Sequence, residues 1–288
     1  KISSKNKLKN TALFNMPPLF FPLYYQLLQA YNPSNYSHSP PVVINTEISS
    51  PLPQILGQNT EYSFLPPIGG EGKVVSLALV GDSMIDTLSE DICQNSLHKY
   101  FPGTKFNLLK YGYGSTTIES VIKRLTETTT YLDKENPALL SLSPDIIVIE
   151  SFAYNNFGNS QKGIEKHQKL LQEITDLIKE KSPSSKIVLA STIAPNSISF
   201  ASGLKNMHFS AFEKIEKTNT IKLYLQNLIN FAKKNNLPLA DAFSVSLFGE
   251  NGSSDYIDSV DNLHPSNLGT ELFCDILAKS LKDNSLTN

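Results

Sequence analysis

From residue 73 onward, short apolar runs alternate with longer stretches in which apolar residues recur every three or four positions. Val74 to Val80 is almost wholly aliphatic, the pattern of a strand covered on both faces within a parallel sheet. Ile85, Leu88, Ile92 and Leu97 follow at near-helical spacing, so Gly81-Asp82-Ser83 falls at a strand-to-helix junction. Further strands are predicted at Lys105–Tyr111, Asp145–Glu150, Lys186–Ser191 and Leu237–Phe243. Helices are predicted over Thr117–Leu132, on the stripe Ile164, Leu171, Ile174 and Ile178, over Ala211–Asn236, and on Leu268, Leu272, Ile276 and Leu281 with Ser266 as N-cap. Strands separated by helices imply a parallel sheet of about five strands with helices on both faces. Ile193 to Ser210 has no period and is predicted to be a long loop at the sheet edge where the strands end.

The first 72 residues are built differently. In residues 1–31, four lysines precede an aromatic-rich apolar run from Thr11 to Tyr31, about long enough to cross a bilayer. The flanking charge fits a signal anchor or membrane tether through residues 11–31, with the remainder exported and extracytoplasmic, anchored or secreted. Three prolines make it a poor span, and an N-terminal arm packed on the domain is the competing reading. Residues 32–72 are rich in Pro, Ser and Asn and read as an extended linker. The globular domain is therefore 73–288.

Composition removes several functional classes. The formal net charge is -2 and Arg124 is the single arginine, which argues against nucleic acid as a partner. Cys93 and Cys274 are too few for a disulfide framework and read as buried thiols. The five histidines show no metal-ligand spacing, so neither a metal nor a cofactor is expected.

Four polar clusters then fall at strand ends or just before the last helix: Gly81-Asp82-Ser83, Tyr111-Gly-Tyr-Gly-Ser-Thr116, Glu150-Ser-Phe-Ala-Tyr-Asn-Asn156 and Asp261-Asn-Leu-His-Pro265. Strand ends of this kind are where open α/β sheets bind ligands. A serine hydroxyl needs a base to become a nucleophile, and His264 is the base offered to Ser83. Asp261, three residues earlier, can hold the imidazole in the required tautomer. Backbone N–H groups at Ser83 and Gly114 and the Asn155 amide are candidate donors to a tetrahedral oxyanion. Asp82 reads as a turn residue. Asp241 and Asp258 are rival orienting acids, and His167 lies on a helix stripe as a core residue. Tyr154 either lines the acyl pocket or makes an ordinary core contact, and His208, in the long loop, is a weak substrate-contact candidate.

Gly-Asp-Ser, a glycine turn, an asparagine and a late Asp-x-x-His-Pro, in that order, resemble the SGNH hydrolases, the GDSL esterase/lipase family, over residues 74 to about 282. The resemblance implies a flavodoxin-like three-layer α/β/α sandwich and the deacylation of lipids, acetylated sugars or thioesters. It makes Ser83 the nucleophile, His264 the base, Asp261 the orienting acid, and Gly114 and Asn155 oxyanion partners. Three positions depart from the family pattern: Met84 stands where the serine motif has leucine, and the other two leave Gly112 and Asn156 as alternatives to Gly114 and Asn155. Gly-x-Ser-x-Gly is absent, so the α/β-hydrolase elbow is unavailable. The expectation is a serine esterase acting on short acyl groups of a small-molecule or carbohydrate ester, including O-acetyl. An acyltransferase using the same site and a flavodoxin-like ligand-binding module are the alternatives.

Overall fold

The computed structural model describes residues 73–287 apart from Asn206; the predicted anchor and linker lie outside the described residues. Strand β1 (Lys73–Gly81) leads into a single helical turn, α1 (Ser83–Asp86), and then α2 (Glu90–Tyr100), β2 (Thr104–Gly112) and α3 (Ser120–Thr126). Two short strands, β3 (Thr129–Tyr131) and β4 (Lys134–Asn136), form an antiparallel hairpin. The chain continues through β5 (Ile146–Glu150), α4 (Gln161–Lys181), β6 (Lys186–Ser191), α5 (Ala211–Lys234), β7 (Leu239–Asp241) and α6 (Ala242–Ser246). A second small hairpin, β8 (Leu247–Phe248) and β9 (Asn251–Gly252), precedes the last helix, α7 (Asn267–Asp283).

The central sheet has the order β2-β1-β5-β6-β7, and every pairing in it is parallel. This is the expected α/β/α sandwich. Because side chains alternate across a strand, β1 supplies both faces. Leu77 and Leu79 join Val148, Val188, Phe273, Leu277 and Leu281 under α2 and α7. Ala78 and Val80 join Ile147, Ile149, Leu171, Ile174, Ile178 and Leu228 under α4 and α5. Burial on both faces explains why these strands read as unbroken apolar runs.

Three expectations are corrected. The helix predicted over Thr117–Leu132 stops at Thr126, and the β3–β4 hairpin follows. The β-branched run from Thr128 to Thr130 favours extended backbone, and Leu132 and Asp133 turn the chain with φ of 48° and 61°. The fifth strand is limited to Leu239–Asp241 because Asp241 caps α6, its carboxylate accepting from Ser244 N–H at 3.0 Å. Cys93 and Cys274 are not free thiols: α2 and α7 lie side by side, bringing their Cα atoms to 5.1 Å, and the sulfurs are bonded. Among the described residues no helix is long and apolar enough to cross a membrane.

Candidate active site

The carboxyl ends of β1, β2 and β5 set the nucleophile side of the site. Gly81 and Gly112 pair in register, and the close approach explains the second glycine: a Cβ on Gly112 would lie 2.4 Å from the backbone nitrogen of Asp86. Asp82 is fully buried and caps α1 by accepting from Met84 N–H at 2.8 Å, so the expected turn role holds. It also reaches across the sheet, its second oxygen accepting from Asn155 Nδ2 at 2.8 Å. That amide nitrogen keeps one more hydrogen free to donate. Ser83 opens α1, where backbone N–H groups have no intrahelical acceptor.

The geometry separates the alternatives left by the sequence. A Cβ on Gly114 would lie 3.7 Å from Ser83 Cβ, which puts the glycine turn against the serine, whereas Gly112 is buried against α1. Asn155 joins Asp82, the serine's neighbour, but Asn156 is tied to its own loop, donating to Ala153 O at 2.7 Å and accepting from Gly158 N–H at 2.9 Å.

His264 and Asp261 form the other side. Asp261 Oδ2 holds His264 Nδ1 at 2.6 Å, while Oδ1 accepts from the N–H groups of Leu263 at 2.8 Å and His264 at 3.0 Å. Hydrogen bonding to a carboxylate keeps the ring proton on Nδ1 and leaves a lone pair on Nε2. Nε2 is buried and has no hydrogen-bond partner. Burial pushes the Asp261 carboxyl up, but the ring and backbone donors outweigh it and hold it below its ordinary value. Met84, next to Ser83, packs with Ile257, which bridges to Pro265 beside His264, so the imidazole lies near the serine's end of the sheet. Asp241 is occupied by Ser191 and Ser244, and Asp258 by Val260 N–H, which leaves Asp261 as the carboxylate on the ring.

Each of the three loops bringing Gly114, Asn155 and His264 together contains a non-glycine residue with positive φ: Ser115 at 58°, Phe152 at 52° and Asn262 at 58°. Strain of this kind persists where surrounding structure over-determines the backbone, and it clusters at functional sites.

Of the weaker candidates, Tyr154 donates to Ile193 O at 3.2 Å and packs with Met84, Ile193 and Ile257, forming an apolar wall beside the serine's helix. Burial pushes its hydroxyl pKa well up. His208 is exposed in the loop before α5, and no hydrogen bond ties it to the site. His167 is core, as expected: Nε2 bonds Ser151 O and Nδ1 meets Asn227 Nδ2, each at 2.8 Å, and burial drives its pKa down to about 4.

Sequence reading missed three residues. Arg124 is 1% exposed and donates to Gly81 O at 2.6 Å and Tyr111 O at 2.9 Å, and also to Thr116 Oγ1, clamping the β1 and β2 ends to the glycine turn. Its guanidinium lies 4.1 Å from the centroid of the Tyr113 ring, and burial lowers its pKa to about 10. Its being the only arginine in the chain was the one available signal. Tyr131 and Asp86 also reach the site: Gly114 N–H donates to Tyr131 Oη at 2.9 Å, and that hydroxyl donates to Asp86 Oδ2 at 2.6 Å. Two buried carboxyls, Asp82 and Glu150, meet behind the serine; burial raises both, Glu150 more strongly with Asp82 beside it. Among the described residues no cluster of three or more His, Cys, Asp or Glu side chains could hold a metal ion.

No family model matches the chain, and no curated protein matches it either. Solved structures do. A lipase/acylhydrolase from Enterococcus faecalis is 18% identical, with a TM-score of 0.52 over 73% of this chain and 96% of the other. An acetyl xylan esterase, 16% identical, gives 0.50 over 72% and 100% of the two chains. A protein from Desulfitobacterium hafniense assigned to the G-D-S-L family of lipolytic proteins is 16% identical and gives 0.50 over 72% and 99%. At these identities the likeness is one of fold: the chain shares the fold of these lipases and esterases over nearly three quarters of its length.

Proposed function

We propose that this domain is a serine esterase that removes short acyl groups from a small-molecule or carbohydrate ester. The observation that carries the reading is the His264 ring, fixed through Nδ1 by Asp261 at 2.6 Å with Nε2 unpartnered at the sheet edge that bears Ser83. In the proposed mechanism Ser83 Oγ attacks the ester carbonyl and its proton passes to His264 Nε2. The resulting imidazolium is stabilised by the Asp261 carboxylate. The tetrahedral oxyanion is met by the N–H groups of Ser83 and Gly114 and by the remaining amide hydrogen of Asn155. Collapse expels the alcohol, which takes the proton from His264, and water repeats the sequence to release the acid.

A short acyl group, O-acetyl on a carbohydrate included, is supported by the fold shared with an acetyl xylan esterase. Export of the domain is supported by the Cys93–Cys274 disulfide, since such bonds persist in oxidising compartments, and by the lysine-flanked segment of residues 11–31. Acetate release from acetylated xylo-oligosaccharide and from 4-nitrophenyl acetate tests the reading. Release that Ser83→Ala reduces by three or more powers of ten supports it; equal release rejects it. Acetyl appearing on an added sugar acceptor in preference to water would make the protein an acyltransferase.

A further inference from the structure

The candidate oxyanion donor is already occupied. The Gly114 N–H has a single hydrogen, and it donates to Tyr131 Oη at 2.9 Å. A Cβ on Gly114 would lie 3.0 Å from that hydroxyl oxygen and 3.7 Å from Ser83 Cβ, so the hydroxyl and the serine flank the same glycine. It is held there deliberately. Its own hydrogen goes to Asp86 Oδ2 at 2.6 Å, on the turn that Ser83 begins, and the Tyr131 ring stacks on Tyr113 with centroids 4.6 Å apart and planes within 7°. Tyr113 Oη and Thr129 Oγ1, 2.9 Å apart, fix the base of the same hairpin. The hairpin tip is free: Leu132 is 77% exposed.

A donor serving one acceptor at full strength cannot serve a second in the same place. We infer that Tyr131 is an internal occupant of the oxyanion hole, whose hydroxyl takes the Gly114 N–H in the free enzyme and must be displaced by the acyl oxygen on each turnover. This rests on the esterase reading and adds to it. Displacement removes one neutral hydrogen bond from the hydroxyl, while its bond to Asp86 can persist as the β3–β4 tip swings out. Tyr131 is thus a gating residue that touches the position of the reacting oxygen and takes no proton from it.

Tyr131→Phe tests the inference, because it keeps the ring stack and deletes only the oxygen. On the full chain, KM for 4-nitrophenyl acetate and Ki for ethylboronic acid, which adds to the serine and places an oxygen in the hole, are both expected to fall. The fall should be roughly 2- to 10-fold, the worth of one neutral hydrogen bond, with kcat held or raised. Asp86→Asn, which weakens the hydroxyl's anchor, is expected to move both in the same direction by less. Unchanged KM and Ki in Tyr131→Phe would overturn the inference, as would a lowered kcat, which would make the hydroxyl a donor in the transition state. Boronate affinity identical in wild type and Ser83→Ala would instead sink the esterase reading, and this inference with it.

Discussion

The two halves of the candidate site are held by different means. The Ser83 half is an extension of the sheet: Gly81 and Gly112 pair in register, Tyr113 N–H donates to Gly81 O at 3.0 Å, and Arg124 binds both strand ends from below. The His264 half is a loop closed on itself, with Asp258 N–H donating to His264 O and Asn262 N–H to Asp258 O, each at 2.8 Å. That loop leans on a second one, through Ala201 N–H to Asn262 O at 2.9 Å and Gly203 N–H to Asp261 O at 3.2 Å. The nucleophile is therefore placed by the most buried part of the molecule, and the base by contact between two loops. Changes to the sheet side should be felt as folding stability, and changes to the loop side as catalytic rate.

The largest expected effect on the loop side is from Asp261→Asn, which keeps the backbone contacts but offers the ring an amide. A drop in kcat of about 10³- to 10⁴-fold with a near-normal unfolding midpoint is expected, measured by ester hydrolysis and urea titration. On the sheet side, Arg124→Met strips the buried Tyr111 carbonyl of its guanidinium donor and leaves Gly81 O with Tyr113 N–H alone. A stability loss of about 2–5 kcal/mol is expected, with whatever folded fraction remains retaining an intact His264–Asp261 pair. Equal unfolding midpoints for Arg124→Met and wild type would erase the contrast between the halves.

Gly203→Ala sharpens it further. A Cβ there would lie 1.7 Å from Val260 O, one residue before Asp261, so the two loops must separate although no candidate catalytic residue is altered. A misplacement of about 1 Å can cost roughly 100-fold in rate, and a fall in kcat of that order or somewhat less is expected from steady-state kinetics. The smallest effect concerns His167, which bridges α4 to Ser151 at the end of β5. Its folded pKa of about 4 lies below the ordinary imidazole value, so between the two the unfolded chain binds a proton that the folded chain does not. Stability from this group is complete above about pH 6.5 and is lost on acidification towards 4, by about 2 kcal/mol between pH 7 and pH 5. The raised carboxyls of Asp82 and Glu150 act in the opposite direction, their contribution fading as pH rises. The measurement is therefore the difference between wild type and His167→Gln in urea unfolding at the two pH values, with a pH-independent difference counting against the assignment.

The strands and the Ser83, Asp261 and His264 positions were legible because both rest on local signals. An aliphatic run such as Ile146–Glu150 has no other stable home than a doubly covered strand, and Asp-x-x-His places both side chains on one turn. What stayed hidden depends on partners distant in sequence. The β3–β4 turn uses Leu132-Asp133 and lacks the Asn-Gly signature of a tight hairpin, so Tyr131 could not be placed near Gly114. Arg124 stands out in the sequence only as the single arginine, and its role appears only with the strand carbonyls beside it. The pairing of Cys93 with Cys274 spans 181 residues and follows from how α2 and α7 pack, which no spacing rule reports.

The central claim, that Ser83 is a nucleophile activated by His264, is tested most directly by covalent labelling with a fluorophosphonate, followed by intact mass and peptide mapping. The account predicts a single adduct on Ser83 in the wild-type chain, formed about 10³-fold or more slowly in His264→Ala. An adduct on another residue, no adduct in the wild type, or Ser83 labelling at the same rate without His264 would contradict it.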